Sequence, residues 1–200
     1  MHKFQMLHCQ LHQIGDYGIG FVENPIKDLY VAKNHRFIRG NHDDPQRSKG
    51  EINNIADGHV ETIENNKVMF VGGASSIDRD FRIPGVSWWY DEELSHEELE
   101  EVIDLYFQQK PDVMVTHEVP NSVVFHFGLR ILKDSARTRE AFRLMFEIHK
   151  PKLWIFGHWH IKFDKVIDGT RFICVDQNHH VDIKLDEIPE VIEQKASWKL

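Results

Sequence analysis

Short apolar runs recur along the chain at strand length. They are LHQI (11–14), HRFIR (35–39), KVMFVGG (67–73), DVMVT (112–116), LWIF (153–156), KFDKVI (162–167) and RFICV (171–175). Each is rich in β-branched or aromatic residues and bounded by Gly, Asp, Asn or Pro, which predicts strands. Two other segments repeat with helical period. Leu99, Val102, Ile103, Tyr106 and Phe107 fall on one face. Ser95, with Glu98 three residues on, predicts a capping box, with Leu94 as its staple residue and Lys110-Pro111 as its stop. A second helix is expected from about Ala136 to His149, with Phe142, Met145, Phe146 and Ile148 on its apolar side, again ending before Lys-Pro.

Each helix feeds a buried strand, 95–110 into 112–116 and 136–149 into 153–156. That order implies a layered α/β fold. Residues 161–184 read as consecutive strands with a hairpin at the DGT turn (168–170), so the sheet should be mixed. No repeat or linker divides the chain. A single domain over 1–200 is expected, with its motif-bearing core at about 11–184.

Composition narrows the function. The chain is 41% hydrophobic and 28% charged, with a formal net charge of -8. Net acidity argues against a nucleic-acid partner held by phosphate neutralisation. No apolar run reaches the roughly 18 residues of a membrane span, and no signal peptide is readable. Cys9 and Cys174 make no disulfide framework, so a cytoplasmic protein is expected. The unusual count is fourteen histidines, residues suited to metal binding and proton transfer.

The polar residues concentrate just after predicted strands: GDYG (15–18), GNHDD (40–44), HEVP (117–120) and GHWH (157–160). Open α/β sheets bind ligands beyond the carboxyl ends of their strands. Asp16, Asn41, His42, Asp43, His117, His158 and His160 are therefore candidates for one edge. Each block alone has a plainer reading. Gly-Asp and Asn-Asp runs make turns and caps, and a strand-end histidine is often an ordinary partly buried residue. His158 and His160, two apart, point the same way if extended, as metal ligands or as a surface pair. Four such blocks at four strand ends favour a site.

The ordered set GD, GNHD, THEVP and GHWH resembles the calcineurin-like metallophosphoesterases, over about residues 11–176. The resemblance implies an α/β fold of four-layer type, a β-sandwich flanked by helices with a two-metal site at the strand ends. It implies hydrolysis of a small phosphorylated substrate, a phosphomonoester or phosphodiester, by metal-activated hydroxide. Asp16 matches the carboxylate that bridges both metals. Asn41, His117 and His158 match the other ligands of one metal, and His160 a ligand of the second. His42 matches the residue beside the phosphate that stabilises it or protonates the leaving oxygen, with Asp43 orienting it. Asn41 and His42 would also bind substrate. Two cations roughly 3.5–4 Å apart clamp a phosphate and activate water. The ligand set suits manganese, iron, zinc or nickel, one or two per chain.

The sequence departs from the family pattern in two places. No Asp-x-His block precedes Asp16, and residues 1–11 read as helix-like, so the first strand and its two ligands are expected to be absent or encoded upstream. One metal should then bind well and the second weakly or not at all. An exposed sheet edge would invite a homodimer. A catalytically impaired protein, acting as a binding or scaffold module, is the alternative reading. The block GDYGIGF also lacks the arginine that follows the aspartate in protein serine/threonine phosphatases, which points to small bacterial-type or phage-type relatives. Residues 75–93 are candidates to lie over the site. There Arg79 and Arg82 would contact phosphate and Trp88 and Trp89 would stack on a base, unless the tryptophans are core and the arginines surface.

Overall fold

The structure, a computed structural model, describes residues 11–21, 35–128, 136–177 and 179–185. The expected helix-like start, Cys9 and the tail at 187–200 lie outside them.

Two sheets form. The smaller pairs β1 (Leu11–Ile14) with β2 (His35–Ile38) in parallel. A short helix, α1 (Pro45–Lys49), follows, started by the Asp44 side chain and by proline in its first turn. The larger sheet has six strands. They are β3 (Val60–Ile63), β4 (Asn66–Val71), β5 (Val113–Thr116), β6 (Leu153–Phe156), β7 (Phe163–Ile167) and β8 (Thr170–Cys174). Their spatial order is β3-β4-β5-β6-β8-β7, with β4, β5, β6 and β8 parallel and antiparallel partners at both edges. The sheet is mixed, as expected. Beyond the β7–β8 hairpin, residues 175–177 and 179–185 form no further strand.

Helices α2 (His96–Gln109), α3 (Asn121–Val124) and α4 (Arg137–Ile148) complete the described elements apart from single 3-10 turns. The capping box of α2 is present in full. Glu98 N donates to Ser95 Oγ at 3.1 Å, and Ser95 N donates to Glu98 Oε2 at 2.8 Å.

Strand alternation decides the layers. Met69, Val71, Met114, Trp154, Phe156 and Phe172 face α2 and α4, packing with Leu99, Val102, Tyr106, Phe142, Met145 and Phe146. Val68, Phe70, Val113, Val115, Leu153 and Ile173 face the other way, where Ile38 and Ile14 of the small sheet cover them with Ile55. Helices, large sheet and small sheet therefore stack as an α/β sandwich. No fourth layer is seen among the described residues.

Parallel strands give the architecture one functional edge. β1, β2, β4, β5 and β6 all end there. The ladder continues past them: His117 N donates to Val71 O and Gly157 N to His117 O, each at 3.2 Å. Those bonds hold the polar turns in line as they leave the sheet.

Candidate metal centre

Four of the candidate residues converge at this edge. His117 Nε2 lies 3.3 Å from Asp16 Oδ1 and 3.1 Å from Asn41 Oδ1. His158 Nδ1 lies 3.0 Å from the same Asn41 oxygen. Asp16, His117 and His158 come from turns after three different strands, and Asn41 from a fourth.

The backbone is shaped to let them meet. A Cβ on Gly40 would collide with Asp16 Oδ1 and His117 Nε2, and one on Gly15, at φ +104°, would collide with the His117 ring. These glycines are the price of bringing an imidazole and a carboxylate against the main chain. Asp16 and His158 themselves adopt left-handed backbone, at φ 54° and 64°. Such strain in non-glycine residues concentrates at functional sites.

Tautomers and amide orientation follow from the partners. His117 Nδ1 lies 2.7 Å from the Ile14 carbonyl, which can only accept, so Nδ1 carries the proton and Nε2 faces the cluster. Asn41 Nδ2 donates to Ser76 Oγ at 3.0 Å, and Ser76 Oγ donates onward to Glu92 Oε2 at 2.5 Å. The Asn41 oxygen is thereby turned into the site.

Lone pairs of Asp16 Oδ1, Asn41 Oδ1 and His117 Nε2 thus point at one another, and only a cation reconciles them. In the metal-free chain a proton takes that place. Burial works to lower the His117 pKa, but the charge and hydrogen bond of Asp16, the Ile14 carbonyl and Asp43 together raise it to about 9. Burial pushes the Asp16 carboxyl up, yet His117 and His42 hold it well below the usual carboxylate range. His158 is pushed down to about 3 by burial and the charge of His117, so its ring is neutral.

The donor set fits a divalent transition metal. Ligands at 2.0–2.2 Å from one ion in octahedral array stand ~3.0 Å apart, and the observed spacings are 3.0–3.3 Å. Asn41 is essential to this count, because among the described residues no three His, Cys, Asp or Glu side chains form a metal cluster by themselves.

His160 does not join the cluster. It is exposed, and both it and His158 have positive φ, 48° and 64°. The segment is a turn rather than extended chain, so strand alternation does not hold the two rings to one side.

Asp43 also differs from expectation. Its carboxylate accepts from four backbone N–H groups: Gly18 at 2.6 Å, Gly40 at 2.7 Å, Ile19 at 3.0 Å and Tyr17 at 3.1 Å. Burial raises its pKa against the pull of these donors. Among the described residues no hydrogen bond joins it to the His42 ring. Both oxygens are occupied by main chain, so Asp43 ties the loop after β1 to the loop after β2.

The His42 ring packs instead on Phe21, with centroids 4.8 Å apart, and its Nε2 lies 2.9 Å from Arg82 Nη2. Arg82 is set by two bonds to Asp78, at 2.7 and 2.9 Å. A guanidinium only donates, so His42 Nε2 accepts and the ring is neutral. Burial lowers its pKa, Asp16 opposes this, and Arg82 and His117 add to it. Arg79 is exposed and pairs only loosely with Asp80, at 4.0 Å. Trp89 is buried, whereas Trp88 meets Tyr90 edge-on.

A family model, calcineurin-like phosphoesterase, matches residues 11–162. The chain belongs to the calcineurin-like phosphoesterases. For this phosphoesterase, membership establishes a phosphoesterase-type function in general and the family's general use of divalent metals. No curated protein matches it. No helix among the described residues is long and apolar enough to cross a membrane. Sequence reasoning on this phosphoesterase missed Ser76, Glu92, Glu118 and Trp159, which lie behind the clustered side chains. Glu118 and Trp159 each directly follow a histidine of the cluster, and that adjacency was the available signal.

Proposed function

We propose that this chain is a metal-dependent hydrolase of phosphomonoesters or phosphodiesters of small substrates. The meeting of His42 and Arg82 beside the Asp16–Asn41–His117–His158 cluster carries this reading. A site that only held a cation has no use for a second, cationic wall. A divalent metal bound by those four residues would supply Lewis acidity, polarising a phosphoryl oxygen and making water acidic.

The protein's own groups do the rest. Arg82, fixed by Asp78, presents N–H donors to phosphate oxygens. An entering phosphate gives Arg82 a new acceptor and frees His42 Nε2. Its negative charge also favours the protonated ring, which can then donate to the leaving oxygen. Phe21 holds the imidazole plane by stacking.

Turnover of p-nitrophenyl phosphate and its bis-ester, with added Mn²⁺, tests the proposal. His42→Ala should lower turnover about 100-fold or more. Equal turnover in wild type and variant would remove His42 from the mechanism.

The position of His160 favours a second reading, a metal-binding module without turnover. Only one donor set gathers among the described residues. That reading expects stoichiometric metal and no hydrolysis with manganese, iron, zinc or nickel.

A further inference from the structure

Glu118 follows the ligand His117 in sequence but lies behind the other ligand, His158. It is fully buried. Its Oε1 accepts from Trp159 Nε1 at 2.6 Å and from Val119 N at 2.9 Å. Its Oε2 has no hydrogen-bond partner among the described residues. The groups facing Oε2 are His158 Nε2, at 3.8 Å, and Arg139 Nη1, at 4.0 Å. A buried carboxylate oxygen without a donor is costly and calls for an explanation.

The explanation lies in the His158 ring. Its Nδ1 faces Asn41 Oδ1, an acceptor whose orientation Ser76 fixes. In the metal-free chain Nδ1 therefore carries the ring's one proton. When Nδ1 gives its lone pair to a cation, that proton can stand only on Nε2. The acceptor opposite Nε2 is Glu118 Oε2.

We infer that Glu118 is the positioning residue of the metal centre: its Oε2 accepts the His158 Nε2 proton and fixes the tautomer in which Nδ1 faces the metal. The inference rests on the metal-centre reading given above. Carboxylate partners of ligating histidines set ring orientation in this way. Trp159 holds the carboxylate by its other oxygen. Its own ring is fixed by Arg139, 5.7 Å away, and by Phe127, at 5.1 Å. The Glu118–Trp159 bond therefore joins the loops after β5 and β6, each one residue beyond a ligand.

E118Q separates positioning from packing. The side chain keeps its size. Trp159 Nε1 and Val119 N are both donors, so the amide oxygen must stay on their side. The amide NH₂ then faces His158 Nε2 and demands a lone pair there. The ring proton is driven to Nδ1, where the cation should be.

The experiment uses the full chain, stripped of metal by chelator. Mn²⁺ and Zn²⁺ affinities are measured by competition with a chromogenic chelator, and metal-free melting temperatures by calorimetry. E118Q should weaken binding about 10- to 100-fold at a temperature where the variant is folded, whatever the metal-free melting temperature loses by leaving buried Arg139 opposite a neutral amide. In parallel, ¹⁵N-histidine spectra of the Zn²⁺-loaded wild type, with His158 assigned through H158Q, should show the Nε2-protonated form.

Equal affinities in wild type and E118Q would overturn the inference and leave the metal centre standing. So would an affinity loss seen only where the variant is partly unfolded, or a His158 protonated at Nδ1 with zinc bound. The spectra decide alone if E118Q does not fold. A wild type that binds neither metal overturns both the inference and the metal-centre reading.

Discussion

His117 and Asp16 show how one ion pair links the site to pH. The folded His117 pKa, about 9, lies above the unfolded value of 6.5. A raised pKa means the folded metal-free chain binds the proton more tightly than the unfolded chain. The resulting stability is full below about pH 6.5 and is lost as pH rises through about 9. Asp16 is depressed, so its contribution is present above its unfolded value, 3.8, and disappears on strong acidification. The melting temperature of chelator-treated protein should therefore decline between about pH 6.5 and 9. Asp16→Asn should flatten that decline, and a variant as steep as wild type would refute the pairing. The primary residues of the site were legible because ligand-type side chains sit next to glycine just past strand ends. Ser76 and Glu92 were not, because their contacts depend on which distant residue faces them. Asp43 was placed correctly in the loop, but the donors that claim its oxygens belong to main chain, to which side-chain identity is blind.

At the scale of elements, caps and nests should carry measurable energy. Ser95→Ala removes a complete capping box and should cost about 1 kcal/mol in urea denaturation; no change would mean α2 is held by its packed face alone. Asp43→Ala leaves four N–H groups of two loops without their acceptor. It should cost on the order of 3 kcal/mol or more by the same measurement, and a smaller loss would show that water reaches those amides. Strands β1, β2 and β4–β8 were readable from their apolar runs, since β-branched and aromatic residues dominate them. β3 was not. Its sequence VETI is half polar, and its turn to β4 is Glu64-Asn65, both at positive φ, 47° and 64°. That is the backbone of a two-residue hairpin without the glycine that usually announces it. Helices α1 and α3 are too short to show a period.

For the whole molecule, the Asp16–Asn41–His117–His158 cluster sits where the two sheets and their loops meet, so an ion bound there should stabilise the folded state globally. Mn²⁺ at one hundred times its dissociation constant should add about 2.7 kcal/mol to unfolding. Calorimetry with and without metal checks this, and an unmoved transition would show that the cluster does not bind. The layered arrangement was legible because alternation in β4, β5 and β6 supplies two apolar faces, which require cover on both sides. That the second cover is a two-stranded sheet was not legible, since pairing of β1 with β2 depends on chain far apart in sequence.

The hydrogen bonds of Ser76 with Glu92 have an evolutionary consequence. Ser76 N donates to Glu92 Oε1 at 2.8 Å, and the two residues close the loop that carries Arg82. The clasp leans on part of the stretch it closes, since Glu92 N donates to the carbonyl of buried Trp89 at 3.1 Å. Sequence drift should therefore be tolerated at the exposed residues 83–86, whereas a change at Trp89 reaches Asn41 through Glu92 and Ser76. The loops after β5 and β6 are stitched together through Glu118 and Trp159, so lengthening either one should drag His117 or His158 with it.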